Sequence, residues 1–403
     1  MSLLSLSAIF AGCNGGVEEE ATPVPSSEPT GEPTGEPTGL QYADSYLVAG
    51  EVQTLFSSGD DLWVISRFAG QYGSEARFEL QRIVGDSYQI VASLPHADQR
   101  SYSWTGPVQI DGDEIIAALY TSNAAFSPQD GTHHGVIFFD NGGNLIADHD
   151  LYETHGVTGP SGFVVDPETQ NIYVLVNNSG NVSAPDEVVD FGSSAIIEIT
   201  DPYREDLNYR KIPLDGFKNA SAIAFRNGRL IVAAAENTLD ETADDGWLLQ
   251  VDPSIVDPLS SPVENIIDIP KGVGMNGNAP ASRDGDLVFT GNNEAEGRSL
   301  AVLSPDDVMT AYLLPDGFQS YVPGAQPVGS KFLFNVAQGF GVQTFLLDPD
   351  TDDVELLNDI DAQFGIGPVF VGAGTYCDAA SGTDISSDGT LLSTITCYQE
   401  VTD

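Results

Sequence analysis

Basic residues are scarce in this sequence. Fourteen Lys and Arg stand against 60 Asp and Glu, a formal net charge of −46 at pH 7. A field of that sign repels phosphate backbones and anionic headgroups, which argues against nucleic acid as a partner. It suits either a protein that meets cations or high salt outside the cell or a solvated acidic surface that keeps the chain soluble. The apolar run near the N-terminus, Leu3 to Phe10, contains two serines and is far shorter than the roughly 20 residues a membrane-spanning helix takes. Cysteine is limited to three positions, with no C-x-x-C or Cys/His spacing that would suggest zinc. No Gly-x-Ser-x-Gly elbow names a nucleophile, and no H-E-x-x-H helix places two histidines on one face. No amphipathic segment of three helical turns interrupts the chain.

What is present begins with the stretch "LLSLSAIFAGCNGG". Its apolar run has the length of a signal-peptide core, and Ala11 and Gly12 put two small residues before Cys13. This resembles a bacterial lipoprotein signal, with Phe10 where Leu is usual and no basic residue ahead of the run, which points to a start farther upstream. The resemblance implies a signal peptide over residues 1–12, lipidation of Cys13, and a chain anchored to a membrane without spanning it. Cys377 and Cys397 are then left as an even pair, either a disulfide in an oxidising compartment or two buried thiols. From residue 13 to 39 the chain is a spacer dominated by "SSEPTGEPTGEPTG", too polar and Pro-rich to form a core.

Residues 40–403 change character. One unit recurs: an apolar strand, a tight turn carrying Gly, Asp or Asn, and a second apolar strand, as in "VQTLFSSGDDLWVIS", "SGFVVDPETQNIYVLVNN" and "ASAIAFRNGRLIVAAAEN". The turns fall near Gly59, Gly112, Gln170, Gly228, Gly285, Gly329 and Gly389, 44 to 60 residues apart. Between them lie more polar hairpins such as "GVIFFDNGGNLIADHDL" and "QTFLLDPDTDDVELL". Two hairpins per unit and seven units predict an all-β chain, a seven-bladed β-propeller of four-stranded antiparallel blades. The last unit runs out of sequence after two strands, while "SYLVAG" (Ser45 to Gly50) precedes the first unit. An N-terminal strand therefore completes the last blade and closes the ring, with Cys377 and Cys397 in that blade. The repeats resemble the broad propeller superfamily of NHL, YVTN-type and gluconolactonase-like proteins, a resemblance that specifies architecture and leaves function open.

In such a ring the segments leaving second strands and those leading into innermost strands meet at one mouth of the central channel. The first group includes Asn123, Asn177, Glu236 and Asn292; the second includes Trp104, His155, Thr158, Asn276 and Tyr321. Oxygens of this kind around one axis could hold Ca²⁺, which takes six to eight oxygen ligands. The likeness to gluconolactonase-like propellers implies Glu236, Asn177 and Asn292 as metal ligands, and a lactone or other ester as substrate of a metal-activated water. Recurrent Asn also fits the turn that follows a strand. Asn123, Trp104, His155, Asn276 and Tyr321 are the expected ligand-binding positions. The histidines gather at His133, His134, His149 and His155, and "LDPDTDDVE" lacks the glycine of a calcium loop and reads as a solvated turn.

The expectation from sequence is a lipid-anchored protein of the bacterial cell envelope, periplasmic or at the cell surface. Its propeller would be a binding or scaffold module for a protein or glycan ligand, with the membrane met through the lipid alone. The alternative is a Ca²⁺-dependent hydrolase or lyase acting in the funnel. Loops that outgrow the repeat, Phe126 to Gly135 and Ser179 to Gly192, are where a partner is expected to approach.

Overall fold

The turn "RNGR" shows how the hairpins are made. Asn227 and Gly228 both adopt positive φ, 52° and 74°, the pair of left-handed residues that a two-residue hairpin with the native strand twist requires. Arg226 and Arg229 pair across it, joining Phe217–Arg226 to Arg229–Glu236. The computed structural model describes residues 39–58, 61–68, 77–85, 87–94, 100–110, 113–122, 134–177, 193–203, 209–236, 246–256, 261–268, 274–275, 281–283, 286–293, 297–313, 324–338, 341–351, 353–362, 364–387 and 389–401. Cys13 and the segments read from sequence as signal peptide and tether lie outside these, except Gly39, which begins a strand.

The described strands form seven antiparallel sheets, and the chain is a seven-bladed β-propeller. Blade 1 runs Glu51–Ser58, Asp61–Phe68, Arg77–Val84 and Ser87–Ser93, in chain order across the sheet. Blades 2, 3 and 4 begin with Arg100–Ile110, Pro160–Val165 and Phe217–Arg226, and blade 6 with Ala325–Val328; each is likewise four strands in sequence order. In blade 5 two short segments, Gly274–Met275 and Ala281–Arg283, share the innermost position beside Asp286–Asn293. Blade 7 takes three strands from the C-terminal end, Phe364–Gly372, Thr375–Ile385 and Leu391–Val401. Its outer strand is Gly39–Ala49 from the other end of the body. The closure expected from the short last unit is therefore present. One five-residue helix, Leu151–His155, is found among the described residues.

The core is a set of seams between blades. Because a propeller blade is covered on both faces, its middle strands read as continuous apolar runs such as Ile172–Val176 and Ala195–Ile199, buried throughout. One face of blade 3 packs Ile172, Val174 and Ile197 against Leu119, Val136 and Phe138 of blade 2. The other packs Tyr173, Leu175 and Ile196 against Ile223 and Val232 of blade 4. Similar clusters join blades 1 and 2, 4 and 5, 5 and 6, 6 and 7, and 7 and 1. Each buried Leu, Ile or Phe contributes about 1.5–3 kcal/mol relative to exposure. Among the described residues, the apolar clusters form these seven seams.

Candidate functional site at the channel mouth

The mouth formed where second strands end and innermost strands begin is best described between blades 2 and 4. Asn177 follows the second strand of blade 3 and is half-buried. Its amide donates to Gly159 O at 3.0 Å, and its carbonyl accepts the Ser194 hydroxyl at 2.8 Å. The Asn177 carboxamide lies over Gly159: a Cβ there would stand 2.2 Å from Asn177 Oδ1, and Gly159 has φ +65°. Only glycine meets both conditions at low cost.

Gly159 in turn donates its N–H to His134 Nδ1 at 3.4 Å, so this nitrogen accepts. His134 is buried just ahead of the third strand of blade 2, Gly135–Asp140, and its carbonyl receives the amides of Leu151 and Tyr152. A contact 25 residues apart in sequence thus ties blade 2 to the start of blade 3. Ser194 ties blade 3 to blade 4. Its N–H donates to Phe217 O at 2.8 Å and its hydroxyl accepts from Ala220 N–H at 3.1 Å, while Ser161 Oγ donates to Ala220 O at 2.9 Å. Sequence reasoning did not single out Ser161, Ser194 or Gly159. The only signal for Ser194 was a Ser-Ser pair placed directly before an apolar strand.

Glu236 ends the second strand of blade 4, and Asn292 sits next to last on that of blade 5, paired with Gly274. Asn177, Glu236 and Asn292 thus lie within a residue or two of one another's place at the ends of the second strands of three successive blades. The side chains of Glu236, Asn292, Trp104 and His155 lie outside the described part of the chain. Trp104 falls at a register shift of the innermost strand of blade 2, and His155 ends the short helix. Asn123, Asn276 and Tyr321 lie outside the described residues, as do His133 and most of the two long loops. No group of three or more His, Cys, Asp or Glu arranged to hold a metal ion occurs among the described residues.

The remaining expectations resolve as structure. Cys377 and Cys397 form a disulfide, as cross-strand partners of the closing blade. Asp348 accepts from Asp350 N–H at 3.1 Å and faces Lys331 at 3.7 Å, in keeping with a hairpin turn. His149 is buried with Nε2 3.1 Å from Pro202 O and its ring edge-on to Phe138 and Tyr209; burial holds its pKa down. Burial, reinforced by Glu198, pushes the Tyr173 phenol up to about 12. Burial also pushes Asp378 up to about 7. Among the described residues, the groups whose proton affinity the fold displaces sit on second, third or outer strands and at turns, and none sits on an innermost strand.

No protein-family model matches the chain, and no curated protein does. Solved structures do. A streptogramin B lyase superposes with a TM-score of 0.51 at 13% identity, covering 87% of this chain and 97% of that one. A puromycin hydrolase superposes with a TM-score of 0.53 at 12% identity, covering 85% of this chain; the match spans 51% of the hydrolase. At such identities the likeness is one of fold, and the propeller is what these proteins share.

Proposed function

We propose that this chain is a cell-envelope lipoprotein whose propeller serves as a binding or scaffold module for a protein or glycan ligand, held off the membrane by its acidic tether. The observation that carries the reading is the chemistry of the described mouth. The side chains of Ser194, Ser161 and His134 there are spent on backbone groups of neighbouring blades. The displaced titratable groups lie in the seams and at turns, whereas a hydrolytic site gathers such groups around a substrate. A rigid rim that carries long loops is a scaffold for recognition. The charge narrows the ligand. Arg67, Arg77, Arg82, Arg210, Arg226, Arg229 and Lys331 are each paired with an acidic side chain, so the acidic surplus is what a partner meets. A neutral glycan or a basic protein surface fits it.

The recurrence of Asn177, Glu236 and Asn292 at the ends of three successive second strands supports the second reading, a Ca²⁺-dependent hydrolase or lyase. One experiment separates the two. Calcium titration calorimetry and a lactone and ester screen are run on the wild type and Glu236→Gln, beside a glycan array. Saturable binding of one ligand class, insensitive to chelator and to Glu236→Gln, is expected. A single tight calcium site, with ester turnover abolished by Glu236→Gln, would replace the binding role with the enzymatic one.

A further inference from the structure

The seam between blades 6 and 7 has a feature not found in the apolar cluster between blades 2 and 3. Tyr376 and Tyr398 of blade 7 pack against Leu333 and Leu346 of blade 6, and farther along Ala380 packs against Val342 and Ala362. Between these two apolar clusters, on the same strand face, sits the carboxyl of Asp378, 3% exposed. Thr344 of blade 6 donates its hydroxyl to it across the seam. A second polar tie crosses nearby, Asn335 Nδ2 to Ile366 O at 2.6 Å.

A buried carboxylate demands compensation, and the described surroundings supply none that is positive. On its own strand the ionisable neighbour is Tyr376, whose hydroxyl donates to Glu400 at 2.9 Å. On the adjacent strand stand Thr396, its register partner, and Tyr398. Blade 6 contributes Thr344 and Asn358, the latter donating to Thr396 at 3.2 Å. The closing outer strand brings Tyr42, register partner of Tyr398. These neighbours are hydroxyls, an amide and one further acid. Asp378 is therefore held in place as a neutral acid, and ionising it favours opening the seam to water.

We propose that Asp378 is a proton-controlled latch on the blade that closes the ring: protonated, it locks blade 7 to blade 6, and on ionisation it releases that seam. The sign follows from burial, which raises the folded-state pKa from 3.8 to about 7. The latch is fully effective below the unfolded value and is lost as pH rises through the folded one. Those two values cap the change in the opening constant at about a thousandfold. The net charge of −46 makes the whole chain self-repelling as pH rises, with the same sign, so the readout has to be a difference.

The test compares thermal unfolding midpoints of the wild type and Asp378→Asn from pH 5 to 8. Asn keeps the shape and removes the titration. The wild-type midpoint is expected to fall relative to that of the variant as pH rises; a difference constant over this range overturns the latch. Should Asp378→Asn fail to fold, hydrogen exchange of the wild type decides. After correction for intrinsic rates, the opening constant for residues 341–347 and 375–381 is expected to rise at least tenfold more between pH 5.5 and 7.5 than that for residues 172–176. An equal rise at both seams overturns the proposal.

Discussion

Replacing Cys377 and Cys397 together with alanine tests how the ring is closed. The two cysteines are 20 residues apart, lie opposite one another on adjacent strands and are 1% and 4% exposed. In the chain-entropy account, releasing a loop of this size costs roughly 3 kcal/mol. If the body from Gly35 to Asp403 unfolds as one unit, its unfolding entropy is roughly 0.8 kcal/mol/K, and the midpoint falls by about 4 °C. Should blade 7 open by itself first, the same energy appears as a roughly hundredfold loss of exchange protection in that blade, with blade 3 unchanged. Calorimetry gives the midpoint and hydrogen exchange gives the location. An unchanged midpoint together with unchanged protection in blade 7 would refute the loop-entropy argument. A fall beyond about 10 °C, with protection lost in every blade, would mean that packing around the sulfurs outweighs loop closure.

Two further substitutions probe the mouth and a buried ion pair. Gly159→Ala drives a Cβ into the Asn177 carboxamide at a residue with φ +65°, and is expected to cost about 1–3 kcal/mol in urea unfolding; the His134 ring ¹⁵N shifts should change as its contact moves. Arg210→Met removes the partner of Glu198, at 2.5 Å, and leaves a carboxylate that is 10% exposed with Asn171 and Tyr173. The expected loss is about 3 kcal/mol, the low end for a broken buried pair, because the Arg210 side chain is itself 26% exposed.

The architecture was legible because hairpins are local. The Asn227-Gly228 turn, the spacing of the turns and a last unit short of four strands lead to the blade count and to the closing strand Gly39–Ala49. The last unit has three strands where two were read from sequence, because the turn near Gly389 joins its second and third strands and Phe364–Gly372 precedes them. The site was legible only as positions along strands. Both faces of a blade are buried in seams, so the polar-apolar alternation that would show which way a side chain points is erased in runs such as Ile172–Val176. The His134 to Gly159 contact and the Asp378 to Thr344 contact both join different blades. Their partners are fixed by tertiary packing, and no short-range spacing in the sequence marks them. Asp378 carries no local sign that its neighbours are hydroxyls and not cations.

Why a ring of similar blades keeps a buried acid at its closing seam is itself open to measurement. Aliphatic seams are strong and unselective, since an apolar blade face fits any comparable neighbour. The Thr344 to Asp378 and Asn335 Nδ2 to Ile366 O hydrogen bonds form only when blade 7 meets blade 6 in one register. On this account the polar contacts contribute uniqueness at the expense of stability. Converting the pair to Asp378→Leu with Thr344→Val should then raise stability by about 1–4 kcal/mol at pH 8, where the acid is ionised, and by less at pH 5. Urea unfolding measures the gain, and the sharpness of amide resonances from residues 341–347 and 375–381 reports whether one register survives. A double variant less stable than the wild type at pH 8 would show that the seam depends on the hydrogen bond itself, and the specificity argument would fail.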